Sequence, residues 1–260
     1  MQKIISWNVA SIRARLPALL NLLAQETPDF VLLQEIKATD ENFPFFDLRL
    51  AGYEAVISGQ KSYNGVAILA KTPMIPTATT LPGFEDQARF IQTETANGLT
   101  LISVYVPNGT PPAKDPADTS RLTYKLAWLD ALASHINALN RQGKSVILGG
   151  DFNVIARDSD VYDPAVFRGG ALMNSGVQNA LQHIENQGFF NMTRAFNPMP
   201  NTYTFWDFQG GAWPRNQGIL LDLMLVNQPL RHRVAGAPIY RDVRGWPGTS
   251  DHAPIGLLLD

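Results

Sequence analysis

The chain has 260 residues, of which 45% are hydrophobic and 17% are charged, and this composition predicts a globular protein with a large core. The formal net charge is -2, so the chain lacks the excess of basic residues that would by itself indicate a nucleic-acid-binding protein. A local basic face or a bound metal ion would still allow nucleic-acid binding. The absence of cysteine excludes disulfides, zinc-thiolate sites and thiol nucleophiles. The length favours one large domain over two smaller ones.

The N-terminus has neither the long apolar core nor the small-residue cleavage site of a signal peptide. No stretch of the sequence approaches the length of a membrane span. We therefore expect a soluble, cytoplasmic protein that has no contact with a membrane.

Segments with the periodicity of strands and of helices alternate along the chain. Apolar runs predict strands at 3–9, 30–35, 65–70, 89–94, 99–106, 145–151, 202–208 and 219–226, and a last strand after His252. Helices are predicted over 15–26, with Pro17 at the start, over 122–139 and near 177–187. The tripeptide 96–98, Ala-Asn-Gly, indicates a hairpin. This mixed order predicts an α/β sandwich with mixed sheets and not a purely parallel, doubly wound sheet.

Polar residues that could bind a metal ion or a phosphate recur where the apolar strands end. They are Asn8, Glu35, Tyr105 with Asn108, Asp151 with Asn153, Asp222, and Asp251 with His252. The rigid edge of a sheet can aim such side chains at a common point. Asp222 is the hardest to explain otherwise, because a carboxylate inside an apolar strand is costly without a hydrogen-bonded partner. A histidine is the natural candidate for that partner.

Each of these residues also has a simpler structural explanation. The asparagines could cap turns, and the aspartate inside the apolar strand could accept hydrogen bonds from backbone amides. Glu35 could pair with Lys37 or Arg13. The dipeptide 250–251, Ser-Asp, could form a turn that starts a strand, with His252 at the surface. The pattern of residues leaves both explanations open.

Eight short motifs resolve this ambiguity through a resemblance. In chain order they are SWNV, LQEIK, YNGVAIL, VYVPNG, GGDFNV, YTFWDFQ, the aspartate of LLDLMLV, and SDHAPI. This series, which runs from Ser6 to Pro254, resembles the exonuclease III family of abasic-site endonucleases, within the wider endonuclease/exonuclease/phosphatase superfamily. One such motif would be weak, but all of them in order form a specific signal. The resemblance implies a single catalytic domain over 1–260 with a four-layer fold, in which two packed mixed β-sheets are flanked by helices and the active site lies at one end.

The resemblance implies a site that depends on Mg²⁺, with Mn²⁺ as a possible substitute. Glu35 and Asp251 would hold the ion, with Asn8 close by, and oxygen ligands of this kind suit Mg²⁺. Asp151 would activate the attacking water, and Asn153 would orient that water or the phosphate.

The resemblance also assigns the groups that contact the phosphate. His252, held by Asp222, would hydrogen-bond the scissile phosphate and stabilise charge in the transition state, while Tyr105 and Asn108 would contact the phosphate. A phosphodiester is anionic, so its hydrolysis needs a cation, a base for the nucleophile and stabilisation of the leaving oxygen. A buried aspartate favours the charged imidazolium, which suits a group that faces a phosphate.

The substrate side of the site follows from the same resemblance. A sugar that lacks its base would be flipped into a small apolar pocket, and a DNA groove would lie beside it. The pocket positions are Phe205, Ile219 and Leu221, and Trp206, Trp213 and Asn216 could line the groove. From the sequence alone, the three pocket residues are more readily explained as parts of the core. A tight pocket would exclude normal nucleotides, and a baseless site is also cheaper to flip.

The predicted activity is Mg²⁺-dependent cleavage of duplex DNA 5′ to abasic sites during DNA repair, with 3′-phosphodiesterase and 3′-to-5′ exonuclease activities. The predicted partner is double-stranded DNA with abasic sites or blocked 3′ ends, bound by a monomer. One alternative is a phosphoesterase of the same superfamily that acts on a small phosphorylated substrate, but such relatives are expected to have histidine at the position of Tyr105. Another is a catalytically inactive DNA-binding module, against which the presence of every acid, base and metal position argues.

Two positions depart from the family pattern. Ala10 stands where an asparagine or aspartate is usual, which removes one polar group near the metal. Asn191 stands where an aspartate is more usual. We expect the first change to alter metal binding and the second to be structural.

Overall fold

The computed structural model describes residues 1–260 and contains twelve β-strands. In chain order they are β1 (Gln2–Asn8), β2 (Phe30–Gln34), β3 (Glu54–Ser58), β4 (Val66–Ala70), β5 (Met74–Ala78), β6 (Phe90–Thr95), β7 (Leu99–Tyr105), β8 (Ser145–Asp151), β9 (Phe189–Asn191), β10 (Asp222–Asn227), β11 (Val234–Gly236) and β12 (Ile255–Leu259). They form two six-stranded sheets, of order β11-β12-β1-β2-β4-β3 and β5-β6-β7-β8-β10-β9. Each sheet has one parallel pair, β1 with β2 and β7 with β8, so both sheets are mixed.

Seven α-helices accompany the sheets. They are α1 (Ile12–Glu26), α2 (Phe45–Leu50), α3 (Ser120–Arg141), α4 (Pro164–Phe167), α5 (Ser175–Asn186), α6 (Met192–Phe196) and α7 (Gln228–Arg231). No helix combines the length and the apolar character needed to cross a membrane.

Three apolar clusters separate four layers. The central cluster lies between the sheets, where Ile4 of β1 and Ile147 of β8 both contribute. Because side chains alternate along a strand, the neighbours of these residues face outward. Ile5 joins the cluster beneath α1, and Leu148 joins the cluster beneath α3 and α5. Strands buried on both faces read as continuous apolar runs, and the predicted sandwich of two mixed sheets flanked by helices is confirmed.

Two features near the expected helix and strand boundaries differ from the sequence prediction. Helix α1 begins at Ile12, so Pro17 lies inside the helix and not at its start. The amide of Ile12 donates to the carbonyl of Ile36, and its side chain is fully buried, so tertiary contacts extend the helix toward the N-terminus. Residues 202–208 form no regular strand, since only Phe205 makes isolated bridges, to Ile219 and His252.

Four strands were not predicted: β3, β5 and the three-residue strands β9 and β11. In β3 the side chains are exposed or only half-buried, so the strand lacks an apolar run. In β5 the sequence contains Pro76, which lacks a backbone donor and is tolerated here because β5 is the edge of its sheet.

Candidate active site

Strand pairing in the second sheet brings three of the predicted residues side by side. Asp151 is the last residue of β8, and the register places it opposite Asp222, the first residue of β10. On its other side Asp151 pairs with Tyr105, the last residue of β7. The antiparallel and parallel neighbours of β8 therefore place two carboxylates and a phenol at one end of the sheet.

The first sheet delivers its polar residues to the same end. Asn8 closes β1 and pairs with the last residue of β2, so Glu35 follows directly beside it. Strand β12 runs antiparallel to β1, which places Asp251 and His252, just before β12, near the end of β1. The indole nitrogen of Trp7 donates to the carbonyl of His252 at 2.9 Å and fixes this approach.

His252 lies between two buried aspartates. Its Nδ1 is 2.8 Å from Oδ2 of Asp222, and its Nε2 is 3.8 Å from Oδ2 of Asp151. The other carboxylate oxygen of Asp222 is buried and has no hydrogen-bond partner, so His252 is the principal partner of this carboxylate. Burial by itself lowers the pKa of His252, but Asp222 and, more weakly, Asp151 raise it to about 10. The histidine is therefore positively charged at neutral pH.

Asp151 has the properties of a base that works near neutral pH. It is only 2% exposed, and this burial raises its pKa to about 7, although the positive charge of His252 opposes the rise. The amide of Asn8 donates to its Oδ2 at 3.0 Å, and the backbone amide of Asn153 donates to its Oδ1 at 2.9 Å. These hydrogen bonds hold the carboxylate in one orientation.

Asn153 sits beside Asp151 in a strained backbone conformation. Its φ of 50° lies in the left-handed region, which asparagine tolerates better than most residues. Its side-chain amide donates to the carbonyl of Val106 at 3.0 Å, and its Oδ1 accepts from the amide of Asn108 at 3.2 Å. The two asparagines therefore form one polar surface next to the carboxylate, and Asn108 is exposed. Backbone strain of this kind is often found at functional sites.

Asn8 bridges two carboxylates across the sandwich. Its Nδ2 donates to Glu35 at 3.1 Å and to Asp151 at 3.0 Å, while its Oδ1 accepts from the backbone of Ala10. This pattern fits only one orientation of the amide, because a carboxylate needs a donor. The amide oxygen accepts one hydrogen bond and keeps a second lone pair, so the expected place of Asn8 near the metal stays a prediction.

Glu35 is held ionised at the edge of the site. Burial would raise the pKa of its carboxyl, but hydrogen bonds from Lys37 and Asn8 outweigh burial and lower the pKa. The ammonium of Lys37 lies 2.8 Å from its Oε2, and the hydroxyl of Tyr105 adds a weaker hydrogen bond. The backbone φ of Glu35 is 50°, again in the left-handed region.

Ser250 was not singled out from the sequence, yet it connects several site residues. It is fully buried, and its hydroxyl donates to the carbonyl of Asn8 at 2.6 Å and accepts from the amide of His252 at 3.2 Å. The same oxygen is 3.2 Å from Oδ1 of Asp251. The sequence feature that could have identified Ser250 is its position directly before the Asp-His pair, where the hydroxyl of a serine can stabilise a local turn.

Glu35 and Asp251 are the two carboxylates that the sequence predicts as metal ligands. No group of three or more histidine, cysteine, aspartate or glutamate side chains lies close enough together to hold one. Two carboxylates with water and substrate phosphate completing the shell suit Mg²⁺, which keeps several waters and is seldom enclosed by protein ligands. The oxygen-only donor set therefore fits a hard divalent cation.

The residues expected to form the sugar pocket lie together, but they are well packed. Ile219 and Leu221 are each 4% exposed and form a small cluster with Met173, against which Phe205 packs. The ring of Phe205 lies 4.9 Å from that of His252, so an apolar wall borders the histidine. The structure shows Ile219 and Leu221 as core residues and Phe205 as a neighbour of His252, and the sugar pocket stays a prediction.

The groove residues separate into buried and accessible ones. Trp206 is fully buried and donates to Oδ1 of Asn216 at 3.1 Å, so it supports the loop from beneath and does not line a groove as expected. Trp213 is half-buried and Asn216 is exposed. The guanidinium of Arg241 lies over both indole rings, 5.4 Å from the centroid of Trp206 and 4.6 Å from that of Trp213.

Two departures from the family pattern have a structural context. Ala10 adopts a φ of 48°, a conformation that alanine disfavours. Asn191 caps α6, where its Oδ1 accepts from the backbone of Arg194 at 3.0 Å. Asparagine and aspartate are comparable N-caps, so this residue is structural.

A cleft of about 850 Å³ opens beside Asn108. Arg89 and Arg121 line it together with Tyr63 and Tyr124. Although the whole chain has a net charge of -2, this surface next to the site offers two guanidinium groups and two aromatic rings.

A four-layer sandwich with acidic, amide and histidine side chains at one end defines a class of phosphoesterases and nucleases. The chain belongs to the endonuclease/exonuclease/phosphatase family, whose model matches residues 5–252. It is 31% identical to an exodeoxyribonuclease from Bacillus subtilis, over 99% of both chains. The structure is similar to that of an AP endonuclease from Archaeoglobus fulgidus, with 30% identity and a TM-score of 0.93, and to that of a 3′ phosphatase from Neisseria bound to a product DNA hairpin, with 31% identity and a TM-score of 0.92. Both likenesses cover 100% of each chain, and the predicted resemblance to the exonuclease III family of hydrolases is confirmed.

Proposed function

We propose that the chain is a single-domain, metal-dependent DNA repair phosphodiesterase that cleaves duplex DNA 5′ to abasic sites. The observation that carries this proposal is the buried arrangement in which His252 lies between Asp222 and Asp151. It unites a charged donor for a phosphate and a base of near-neutral pKa in one site. Removal of blocking groups and of nucleotides from 3′ ends uses the same phosphodiester chemistry and is part of the proposal.

Asp151 would take a proton from the attacking water, because its pKa of about 7 leaves it partly ionised at neutral pH. Asn153 and Asn108 would orient the water and the phosphate with their amides. His252 would donate a hydrogen bond to a phosphate oxygen as negative charge develops there, and Asp222 would keep the imidazole charged and fixed in orientation.

Glu35 and Asp251 would hold Mg²⁺, or Mn²⁺ in its place, and the ion would neutralise the phosphate when bound. Lys37 would keep Glu35 ionised in readiness for the cation. Ser250, whose hydroxyl donates to the carbonyl of Asn8 and accepts from the amide of His252, would hold the backbone on either side of Asp251. Asn8 would keep the metal-binding Glu35 and the base Asp151 at a constant separation.

Several observations favour DNA as the substrate. The relatives named above act on DNA, and one of them is bound to a DNA product. The phenol of Tyr105 occupies the position where relatives that act on small phosphorylated substrates are expected to carry histidine. The cleft with Arg89 and Arg121 offers phosphate contacts, and the apolar wall at Phe205 suits a sugar that lacks its base.

We also propose that the enzyme acts as a monomer in the cytoplasm. All the residues assigned to the site come from one chain, so no second copy is needed to complete it. Sedimentation with and without duplex DNA tests the monomeric state. A dimer at the protein concentration at which the enzyme is active would contradict it.

The decisive experiment compares substrates and one matched pair of variants. Labelled duplexes with one abasic site, with no damage and with a nick carrying a 3′ phosphate, together with inositol phosphates, are incubated with and without Mg²⁺. We expect metal-dependent cleavage 5′ to the abasic site, loss of it in Asp151→Asn, and no effect of Asp158→Asn, which changes an exposed aspartate paired with Arg168. Hydrolysis of inositol phosphates in preference to every duplex would refute the proposal and favour a small-molecule phosphoesterase.

A further inference from the structure

A lysine occupies an inward-facing position of α3 where the helical spacing calls for an apolar residue. Leu122 and Leu129 mark this face, and Lys125 lies between them at the same helical spacing. Its side chain is completely buried, which is rare for lysine. The sequence therefore carried a signal, a charged residue on the core face of an amphipathic helix.

The ammonium of Lys125 is bound by three backbone carbonyls and by no carboxylate. Its Nζ donates to the carbonyls of Asn153 at 2.5 Å, Asn108 at 3.0 Å and Ala171 at 3.1 Å. An ammonium has three N–H donors, so all of them are used. No acidic side chain forms an ion pair with it.

The three carbonyls belong to three different loops around the proposed active site. Asn108 lies after β7 and Asn153 after β8, and their side chains are hydrogen-bonded to each other. Ala171 lies between α4 and α5, two residues before Met173, which packs with Ile219 in the apolar cluster beside the site. One side chain thus joins the loops that carry both asparagines and a wall of the expected sugar pocket.

The loop around Asn108 is built to rest on the lysine stem. Gly109 has a φ of 82°, and a Cβ at this position would lie 2.8 Å from Cδ of Lys125. A side chain at position 109 would therefore push the loop away from the ammonium. The contact is direct packing as well as hydrogen bonding.

Keeping a charge here works against stability. Burial lowers the pKa of Lys125 to about 7, although the charge of Asp151 raises it in part. An apolar side chain of similar size would avoid the cost of burying a charge, but it would leave the three loop carbonyls without this donor. Strongly perturbed groups of this kind concentrate at functional sites.

We propose that Lys125 is a positioning residue, whose buried ammonium fixes the loops of Asn108, Asn153 and Ala171 relative to one another. This inference rests on the proposed phosphodiesterase function. The ammonium contacts only backbone carbonyls, so it acts on catalysis through the asparagines. Displacing reacting groups by about 1 Å can reduce a rate by about 10²-fold.

The chain contains no cysteine, which permits a clean test. In Lys125→Cys the new thiol is unique, and alkylation in denaturant with 2-bromoethylamine, followed by refolding, rebuilds an ammonium at nearly the original length. Alkylation with 2-bromoethanol gives a neutral side chain of the same length. Lys125→Met is a second neutral variant, and Lys125→Arg keeps the charge but replaces the compact ammonium by a planar fork.

Single-turnover cleavage of an abasic duplex measures the chemical step, and a thermal melt confirms folding of each protein. We expect Lys125→Met and the hydroxyethylated protein to lose about 10²-fold in the single-turnover rate constant, with a far smaller change in the Kd for the duplex. The aminoethylated protein should recover most of the rate. Lys144→Met is the matched control, because Lys144 is partly exposed and pairs with Glu94 away from the site, and its rate should not change.

Each outcome decides between the two roles of the lysine. An unchanged single-turnover rate in a folded Lys125→Met protein, or a loss that aminoethylation does not restore, would overturn the positioning role. If the neutral variants do not fold, a rate in the aminoethylated protein no higher than that of Lys125→Arg would overturn the role, because only the aminoethyl group rebuilds the compact ammonium. Wild-type protein that fails to cleave the abasic duplex would contradict the proposed function itself, before any variant is compared.

Discussion

Replacing Asp222 by asparagine removes a buried charge while keeping nearly the same shape. In the native protein Asp222 lies 2.8 Å from Nδ1 of His252, and both side chains are at most 5% exposed. Burial alone would lower the pKa of His252, so the imidazolium depends on its acidic neighbours. We expect the ring to be largely neutral at pH 7 in Asp222→Asn, and therefore a poorer donor to an anionic phosphate.

The size of the effect follows from the pKa of His252. The pKa rises from 6.5 to about 10, and at about 1.36 kcal/mol for each pKa unit the charged ring is favoured by on the order of 5 kcal/mol. A hundredfold slower reaction corresponds to about 2.7 kcal/mol, which is roughly half of that preference. Asp222 makes the largest contribution to raising the pKa of His252, so its loss can account for a hundredfold slower cleavage reaction.

The assay is single-turnover cleavage of an abasic duplex by His252→Ala, Asp222→Asn and the double mutant, with binding measured separately. We expect each single variant to bind the duplex and to react about 10²-fold more slowly or worse. The double mutant should lose less than the product of the two single effects, because the residues act as a unit. The exposed His183 serves as the control, since His183→Ala should react normally.

The same pair predicts how stability depends on pH. The folded pKa of His252 lies above its unfolded value, so its contribution is fully present below pH 6.5 and is lost as the pH rises toward about 10. Asp222→Asn should therefore destabilise the protein more at pH 6 than at pH 10 in urea unfolding. Multiplicative losses in the double mutant would refute the coupling, and normal cleavage by His252→Ala would leave the segment around it a structural turn.

Three further predictions concern the metal, the pH profile and the first loop. Chelation should abolish cleavage, and turnover in excess chelator would exclude the metal mechanism. Glu35→Ala should lose activity while its circular dichroism spectrum and melting temperature stay near those of the wild type. The cleavage rate should fall as the pH drops below about 7, because Asp151 becomes protonated. It should fall again near pH 10 as His252 loses its proton. A flat profile across this range would contradict both assignments. Ala10→Asn should raise the free energy of unfolding by about 1 kcal/mol, because asparagine tolerates the φ of 48° better than alanine. If chemical denaturation shows no gain in stability, the backbone is not strained at this position.

The sequence by itself identified the family and the strands that carry the site. Strands buried on both faces, such as β2 and β8, appear as continuous apolar runs, so their ends and the polar residues at those ends could be read directly. Asp222 was recognised as a residue in need of a partner because an unpaired carboxylate among leucines is costly. These are local properties, in which each residue is judged against its immediate neighbours in the chain.

Elements stabilised mainly by their surroundings were less accessible. The segment 202–208 has the composition of a strand, but its backbone pairs only at Phe205, and β5 contains a proline that suggests no strand at all. The start of α1 depends on a hydrogen bond from Ile12 to Ile36. In each case a partner distant in the chain decides the conformation, and local propensity is overridden.

Only the tertiary structure decided how the site residues work together. The amide of Asn8 bridges to Asp151 across 143 positions of the chain, and Trp7 contacts His252 across 245. The triple carbonyl contact of Lys125 depends equally on three loops that meet only in the folded state. Hydrogen-bond geometry at 3 Å depends on the packing of two sheets against each other, so the sequence specified which chemical groups are present while the fold determined which of them touch.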